Sequence, residues 1–521
     1  MQLSNFDAFV GPSYSYQSLP IDCQECINFE CLKVGSTASP FKNMLVSTAG
    51  MKHVRFRIEG RGEPVDELPT NKANVSRIRG MHKCSYSFYG ESIDGFIVVG
   101  SDIVWRMGKP DDDLVCDIYK LGVISDGRSR VSIVDIGYIG EGTSQKIVIA
   151  DGVTLYYIDM STLSFGSNGN IMPQRPTSLT TMDGRVFMAG TLLNDGSRSQ
   201  YVYFSELFDP VKWAYTDCVQ AYTNSDPVLA VKNVGNYIWM IGTDTYEVWQ
   251  TSSSDNAPIR RVSGIETGVG TCSADSVASI AASVFFVGGG KTGYSRIYEG
   301  DSNGTINVIS TDAMAEEFSR YVTIEDAVGF TWADGGNVYY GVTFPTQDVT
   351  WVYNVRSGNW HKRMSQKNST FQKWRVDTME NAFGTVFGAS VNSGRVYEVS
   401  DKYYDEDGET IIRKRVAPHL RSNGRQLNHS SFELDLECGN ANASGYGSDP
   451  QVMLRPLDDG GRTPRQSRWK SSGTMGMYRR RVKWYRLGTA VDRCYEVTVS
   501  DPIRWVIYGA VIGTEEGIGG R

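Results

Sequence analysis

Seven times along the chain two adjacent residues of strand-forming type recur, the second aromatic and the first apolar or aromatic. The pairs are Val104-Trp105, Tyr156-Tyr157, Tyr203-Phe204, Val248-Trp249, Ile297-Tyr298, Val352-Tyr353 and Val396-Tyr397, and their second members are 52, 47, 45, 49, 55 and 44 residues apart. A period of about 40–50 residues is the length of one four-stranded propeller blade. Between the pairs, short β-branched and aromatic runs are set off by Gly, Asp and Asn. Asp183-Gly184 precedes Arg185-Val186-Phe187-Met188-Ala189, Gly235-Asn236 precedes Tyr237-Ile238-Trp239-Met240-Ile241, and Asp334-Gly335-Gly336 precedes Asn337-Val338-Tyr339-Tyr340. Such runs read as hairpins. One blade cannot bury both of its faces, so the copies must stack around an axis. The expected fold is all-β, a β-propeller of seven blades, or six if the first or last copy is a partial blade closed by a strand from elsewhere.

With 521 residues the chain exceeds one ordinary domain. Gly (55) and aromatic residues (11%) are plentiful and charged residues few (21%), which excludes a coiled coil or a disordered chain. The period stops near residue 410. Beyond it, Ser431-Phe432-Glu433-Leu434-Asp435-Leu436 and Cys494-Tyr495-Glu496-Val497-Thr498-Val499 alternate apolar with polar residues, as a half-buried antiparallel sheet or sandwich does. The stretch 439–450, rich in Gly, Asn, Ala and Ser, reads as a loop. The expected division is an N-terminal segment (1–90) whose strands join the body, a propeller (91–409), and a basic, β-sandwich-like tip or docking domain (410–521). One helix is expected over 312–321, with a hydroxyl cap before it and Met314, Phe318 and Tyr321 at helical spacing, packed between blades.

Charge is unevenly spread. Residues 411–521 carry 18 Lys and Arg against 11 Asp and Glu, whereas residues 1–410 carry 34 against 48. The densest cluster is Arg479, Arg480, Arg481, Lys483 and Arg486, a set that could meet phosphates or an acidic protein surface, or form a solvated strand face. No segment approaches the roughly 20 apolar residues of a membrane span. The start, Met1-Gln2-Leu3-Ser4-Asn5-Phe6-Asp7, has neither a basic nor an apolar signal region, so export by that route is not expected. The nine cysteines, scattered from Cys23 to Cys494, read as reduced thiols made in a cytoplasm.

Motifs that would carry chemistry fail on their spacing. Cys23-x2-Cys26-x4-Cys31 lacks a fourth zinc ligand nearby, and none of His53, His82, His361, His419 and His429 stands close in sequence to these three cysteines. In Phe285-Phe286-Val287-Gly288-Gly289-Gly290-Lys291-Thr292 the leading Gly of a phosphate loop is replaced by Phe285, so a hairpin turn is expected. Asp111-Asp112-Asp113 and Asp405-Glu406-Asp407-Gly408-Glu409 lack the spaced oxygens of a calcium loop and read as exposed turns. Asp458-Asp459-Gly460-Gly461-Arg462-Thr463 has the look of an aspartate box, a structural hairpin. No catalytic, cofactor-binding or metal-ligating residue is singled out, and no enzyme is expected.

The runs Phe9-Val10-Gly11-Pro12-Ser13-Tyr14, Asp22-Cys23-Gln24-Glu25-Cys26-Ile27-Asn28-Phe29-Glu30, Tyr203-Phe204-Ser205-Glu206 and Asp209-Pro210, with Arg481-Val482-Lys483-Trp484-Tyr485-Arg486-Leu487-Gly488 and Ser500-Asp501-Pro502, together resemble another group of proteins. These are the packaged-DNA stabilisation proteins, or tail-hub (nozzle) proteins, of short-tailed bacteriophages, and the resemblance spans nearly the whole chain. It implies a homo-hexameric ring beneath the portal-adaptor ring that continues the DNA channel and retains the genome. Tail fibre, spike or needle proteins would dock on it, and double-stranded DNA would pass without sequence specificity. The protein would be assembled in the bacterial cytoplasm and reside in the virion tail. Arg479, Arg480, Arg481, Lys483 and Arg486 are then expected at a subunit or adaptor contact. The N-terminal cysteines and the 439–450 insertion depart from better-known members, which leaves the tail partners open. Two other classes are a glycan-binding or glycan-cleaving virion propeller, which would turn over or bind polysaccharide, and a cytoplasmic propeller scaffold, which would bind a host protein.

Overall fold

A computed structural model describes residues 2–516 apart from 37, 72–76, 89–90, 128, 137–144, 169–174, 194–195, 223, 255–256, 264, 266–267 and 290–294. Seven antiparallel β-meanders stand around one axis. Their innermost strands, Ile78–Phe88, Ser132–Ile136, Ser178–Met182, Val228–Val234, Ala278–Ile280, Val328–Asp334 and Thr378–Ala382, adjoin in that order, and the last adjoins the first. The circle is closed, and it has seven blades.

The recurring pairs all fall on the third strand of a blade: Ile103–Met107, Leu155–Asp159, Tyr201–Phe204, Tyr246–Ser254, Arg296–Asp301, Val349–Asn354 and Val396–Ser400. Neighbouring strand residues point to opposite faces of a sheet, and each blade is covered on both faces by other blades. One member of each pair therefore packs forward and the other back. Val104 enters the core between blades one and two while Trp105 enters that between blades seven and one. Val248 and Trp249, and Val352 and Tyr353, divide in the same way. In blades two and three the aromatic facing the preceding blade is the first of the pair, Tyr156 or Tyr203, so the register there is shifted by one residue.

Blade seven takes its outermost strand from the N-terminal region. Gly50–His53 pairs antiparallel with Val396–Ser400, and Met51 is buried in the core between blades six and seven. Arg55–Ile58 pairs parallel with Val115–Val123 at the rim of blade one. Residues 2–47 take a different course from the one expected for an N-terminal segment joining the body, because they build the second domain. Sheet one of that sandwich contains Gln2–Asn5, Phe29–Lys33, Asn43–Ser47, Val506–Glu516, Leu427–Leu436 and Val482–Ala490. Sheet two contains Cys23–Ile27, Arg413–Val416, Asp492–Val499, Gln451–Asp458 and Arg468–Ser471, and Ile27 pairs with Lys362 of blade six, so this sheet continues the blade. Phe9, Phe29, Phe432, Trp484, Val497 and Trp505 fill the space between the sheets.

The helix spans Asp312–Ser319, capped by the Thr311 hydroxyl, which accepts from Met314 N. Met314 and Phe318 lie in the core shared by blades five and six, and Lys362 pairs with Glu317 at 3.0 Å. The glycine-rich string ends the strand Ser283–Gly288, which pairs with Arg296–Asp301, while its residues 290–292 lie outside the described residues. One acidic run is corrected. Asp405–Glu406 and Glu409–Thr410 form a small hairpin beside Gly50–His53 rather than an exposed turn, with Glu406 buried between Arg363 and Arg375. Asp111 instead closes its own turn, accepting from Asp113 N and Val115 N.

Candidate functional site

The basic cluster lies at one side of the sandwich. Arg468–Ser471 is an edge strand of sheet two and Val482–Ala490 an edge strand of sheet one, and the loop 472–481 joins them. Gly473 and Gly476, both at positive φ, let this loop double back, and Gly476 N donates to Gly439 O. The insertion 439–450 thus supports the loop. A register shift opposite Ser430 leaves Arg486 at φ +55°, and the Arg468 guanidinium gathers the carbonyls of Tyr485 and Arg486 at 2.7 and 3.1 Å.

The five cations divide into two groups. Arg481 makes a two-pronged pair with Glu433 at 2.5 and 2.8 Å, and Lys483 reaches the same carboxylate at 3.0 Å. Arg481 and then Lys483 hold the Glu433 carboxyl below the usual carboxylate range. These two cations are committed within the chain. Arg479, Arg480 and Arg486 are exposed, with no carboxylate at ion-pair distance among the described residues.

Sequence reasoning missed the apolar half of this surface. Trp469, Met475, Met477, Tyr478 and Tyr485 are all more than half exposed on the same strand–loop–strand unit. A signal was available: Met475-Gly476-Met477-Tyr478 is a glycine-containing loop with three large apolar side chains, and Tyr485 alternates with buried Trp484. Trp, Tyr, Met and Arg are the residue types enriched at the centres of protein interfaces. A surface made to hold nucleic acid would instead rely on Lys and Arg aimed at phosphates. The arrangement is suited to docking protein.

A second exposed apolar group, Tyr201, Leu207, Phe208 and Tyr215, stands on blade three. The sandwich is joined to blade six, three blades round the ring from blade three.

The propeller axis holds a cavity of about 410 Å³ lined by all seven innermost strands. Arg130 spans it, donating to Gly329 O at 3.0 Å and Thr378 Oγ1 at 3.1 Å. Burial, and then Arg130, brings Lys232 down to about 8, and burial pushes the Glu380 carboxyl up. This space is of small-molecule size and cannot admit a nucleic-acid duplex. Any conduit for DNA therefore lies outside the single propeller.

Two domain descriptions match the chain along its length. The family described as "Bacteriophage P22 Gp10, beta-propeller" matches residues 128–403, more than half of the chain, and that described as "Bacteriophage P22 Gp10, beta-sandwich" matches residues 412–515. The chain belongs to the bacteriophage P22 Gp10 family. It is a structural protein of the phage tail, from a family that stabilises packaged DNA, and it resides in the virion. No curated protein matches the chain. Among the described residues no helix is long and apolar enough to cross a membrane. The first family match ends at residue 403, after the third strand of blade seven, and the second begins at residue 412, just before the sandwich strand Arg413–Val416.

Proposed function

We propose that this protein forms the nozzle of a short tail, as a homo-hexameric ring docked beneath the portal-adaptor ring, with the sandwich face carrying the contact. The observation that carries this reading is the exposed Trp469, Tyr478 and Tyr485 group beside the unpaired Arg479, Arg480 and Arg486. Identical subunits close into a ring through heterologous contacts, which need two different patches on each subunit. The blade-three group and the sandwich face supply such a pair. DNA would run through the centre of the ring rather than along a propeller axis. Residues 1–410 carry 34 cations against 48 acids, a balance that would let duplex slide, because clustered Lys and Arg release counterions and hold DNA regardless of sequence. The ring would retain the packaged genome and offer its flank to fibre, spike or needle proteins after assembly in the host cytoplasm.

The test is charge reversal at Arg479, Arg480 and Arg486 together, leaving the Arg481–Glu433 pair intact, in a phage supplied only with the variant. Expected are particles without a nozzle and with lost DNA, while the purified variant keeps its circular dichroism. Tails of normal appearance by cryo-electron microscopy, in particles that hold their genome, would refute the assignment of this face.

A further inference from the structure

The fold assembles a group of ligand atoms that the linear spacing conceals. The strand Arg413–Val416 separates Cys23–Ile27 from Asp492–Val499, and it stops before Ala417-Pro418-His419. Where it ends, Cys23 and Cys494 meet. Their sulfurs are 2.9 Å apart although the residues are 471 positions apart in the chain, and His419 Nδ1 lies 3.3 Å from Cys494 Sγ. The three ligand atoms all lie within 4.8 Å of one another. Cys26 and Cys31 take no part: both belong to the main sandwich core.

The imidazole is oriented for ligation. Nε2 is 2.8 Å from Leu19 O, which can only accept, so Nε2 carries the hydrogen. Nδ1 then faces the two sulfurs and Asp492 Oδ1, the latter at 2.7 Å. Without a cation Nδ1 shares a proton with Asp492; a cation placed among the three atoms would take the Nδ1 lone pair and both sulfurs together. Arg421 Nη2, 2.6 Å from Asp492 Oδ2, and the Leu19 carbonyl are the kind of outer partners that orient metal ligands. Both cysteines are buried, and little of His419 is exposed.

We propose that Cys23, Cys494 and His419 hold one zinc ion that fastens the strand Cys23–Ile27 to the strand Asp492–Val499 across the end of Arg413–Val416. Two thiolates and an imidazole, with water in the fourth tetrahedral position, form a donor set suited to zinc rather than to magnesium or calcium. Binding releases to solvent the protons still carried by the ligands, and no electron is transferred.

The full-length protein, purified under reducing conditions without chelator, should contain about one zinc per chain by mass spectrometry of the metal. Co²⁺ added to the metal-stripped protein should give the intense visible bands of a tetrahedral thiolate site. Cys23→Ser, Cys494→Ser and His419→Gln should each lose the metal and the bands, whereas Cys438→Ser should keep both. Should the variants not fold, the zinc content and cobalt spectrum of the unaltered protein decide alone. Folded wild-type protein without zinc and without cobalt bands overturns the proposal. So do bands that persist in the Cys23→Ser, Cys494→Ser double variant, or a Cys23–Cys494 disulfide found after thiols are blocked at lysis.

Discussion

Asn28 is fully buried at φ +56°, a conformation that Asn tolerates better than most residues. Its amide donates to Met364 O and Ile412 O, each at 2.8 Å, and its side-chain oxygen accepts from Met364 N at 2.9 Å. One side chain thus ties together the N-terminal sandwich strands, the segment after blade six and the linker to the C-terminal strands. Asn28→Ala leaves three buried backbone groups unpaired and puts alanine in the left-handed region, a cost of about 3 kcal/mol or more. A clearly lower thermal midpoint is expected by calorimetry, and a midpoint equal to wild type would remove Asn28 from this role. Arg415 works in the same style. It is buried, has no ion-paired carboxylate among the described residues, and donates instead to the carbonyls of Phe9, Pro12 and Glu25 and to Gln24 Oε1. Backbone oxygens can hold a buried guanidinium when enough of them converge.

At the scale of elements, the strand Gly50–His53 closes the ring. Gly50 is required by space, not by φ: a Cβ there would run into the carbonyls of Tyr403 and Asp405, and Gly50 N donates to Tyr403 O at 2.7 Å. Gly50→Ala should push the strand off blade seven. Amides of Val396–Ser400 are expected to exchange hydrogen about tenfold faster or more, equivalent to about 1.4 kcal/mol. Amides of Arg185–Ala189 in blade three, across the ring, should be unchanged. Equal protection of Val396–Ser400 in variant and wild type would mean that the strand is not what closes the wheel. The repeated pairs explain themselves at this scale too, since a blade enclosed by two others needs an apolar residue on each face of its third strand.

For the molecule as a whole, buried histidines set a limit in acid. Burial, with Arg363 beside it, brings His361 down to about 3, and burial with Arg493 nearby brings His429 to about 4. In the unfolded chain both would protonate near 6.5. The unfolded state therefore binds more protons as pH falls below that value, so the stability that these groups contribute is complete above about 6.5 and is lost on the way down towards 4. The loss is at most about 1.4 kcal/mol per pH unit for each group. Urea midpoints should fall between pH 7 and 4.5, and the fall should be shallower in the His361→Gln, His429→Gln double variant. Parallel profiles for the two proteins would show that these histidines already protonate in the folded state. The uneven charge and the two exposed apolar groups belong to this scale as well.

The period of the aromatic pairs, the glycine-rich turns and the capped helix are local, and local patterns dictated the blade, the seven copies of its signature and the β character of the C-terminal part. Residues such as Val104 and Trp105 need only know which face of their own strand they occupy. Long-range pairing left no such trace. Nothing in residues 2–47 announces that they join strands more than 350 positions away, because register between distant strands is set by complementary faces and not by spacing. The same reason hid the meeting of Cys23 with His419 and Cys494, and the exposure of Tyr478 and Trp469, which depends on what the rest of the chain leaves uncovered. The order of residues alone fixed the repeating unit and seven copies of its signature, and left open whether the end copies made one blade or two. Only the tertiary structure decided which strand closes the ring, which cations remain unpaired and which distant side chains share a site, since each of these depends on contacts between segments that the chain order does not bring together.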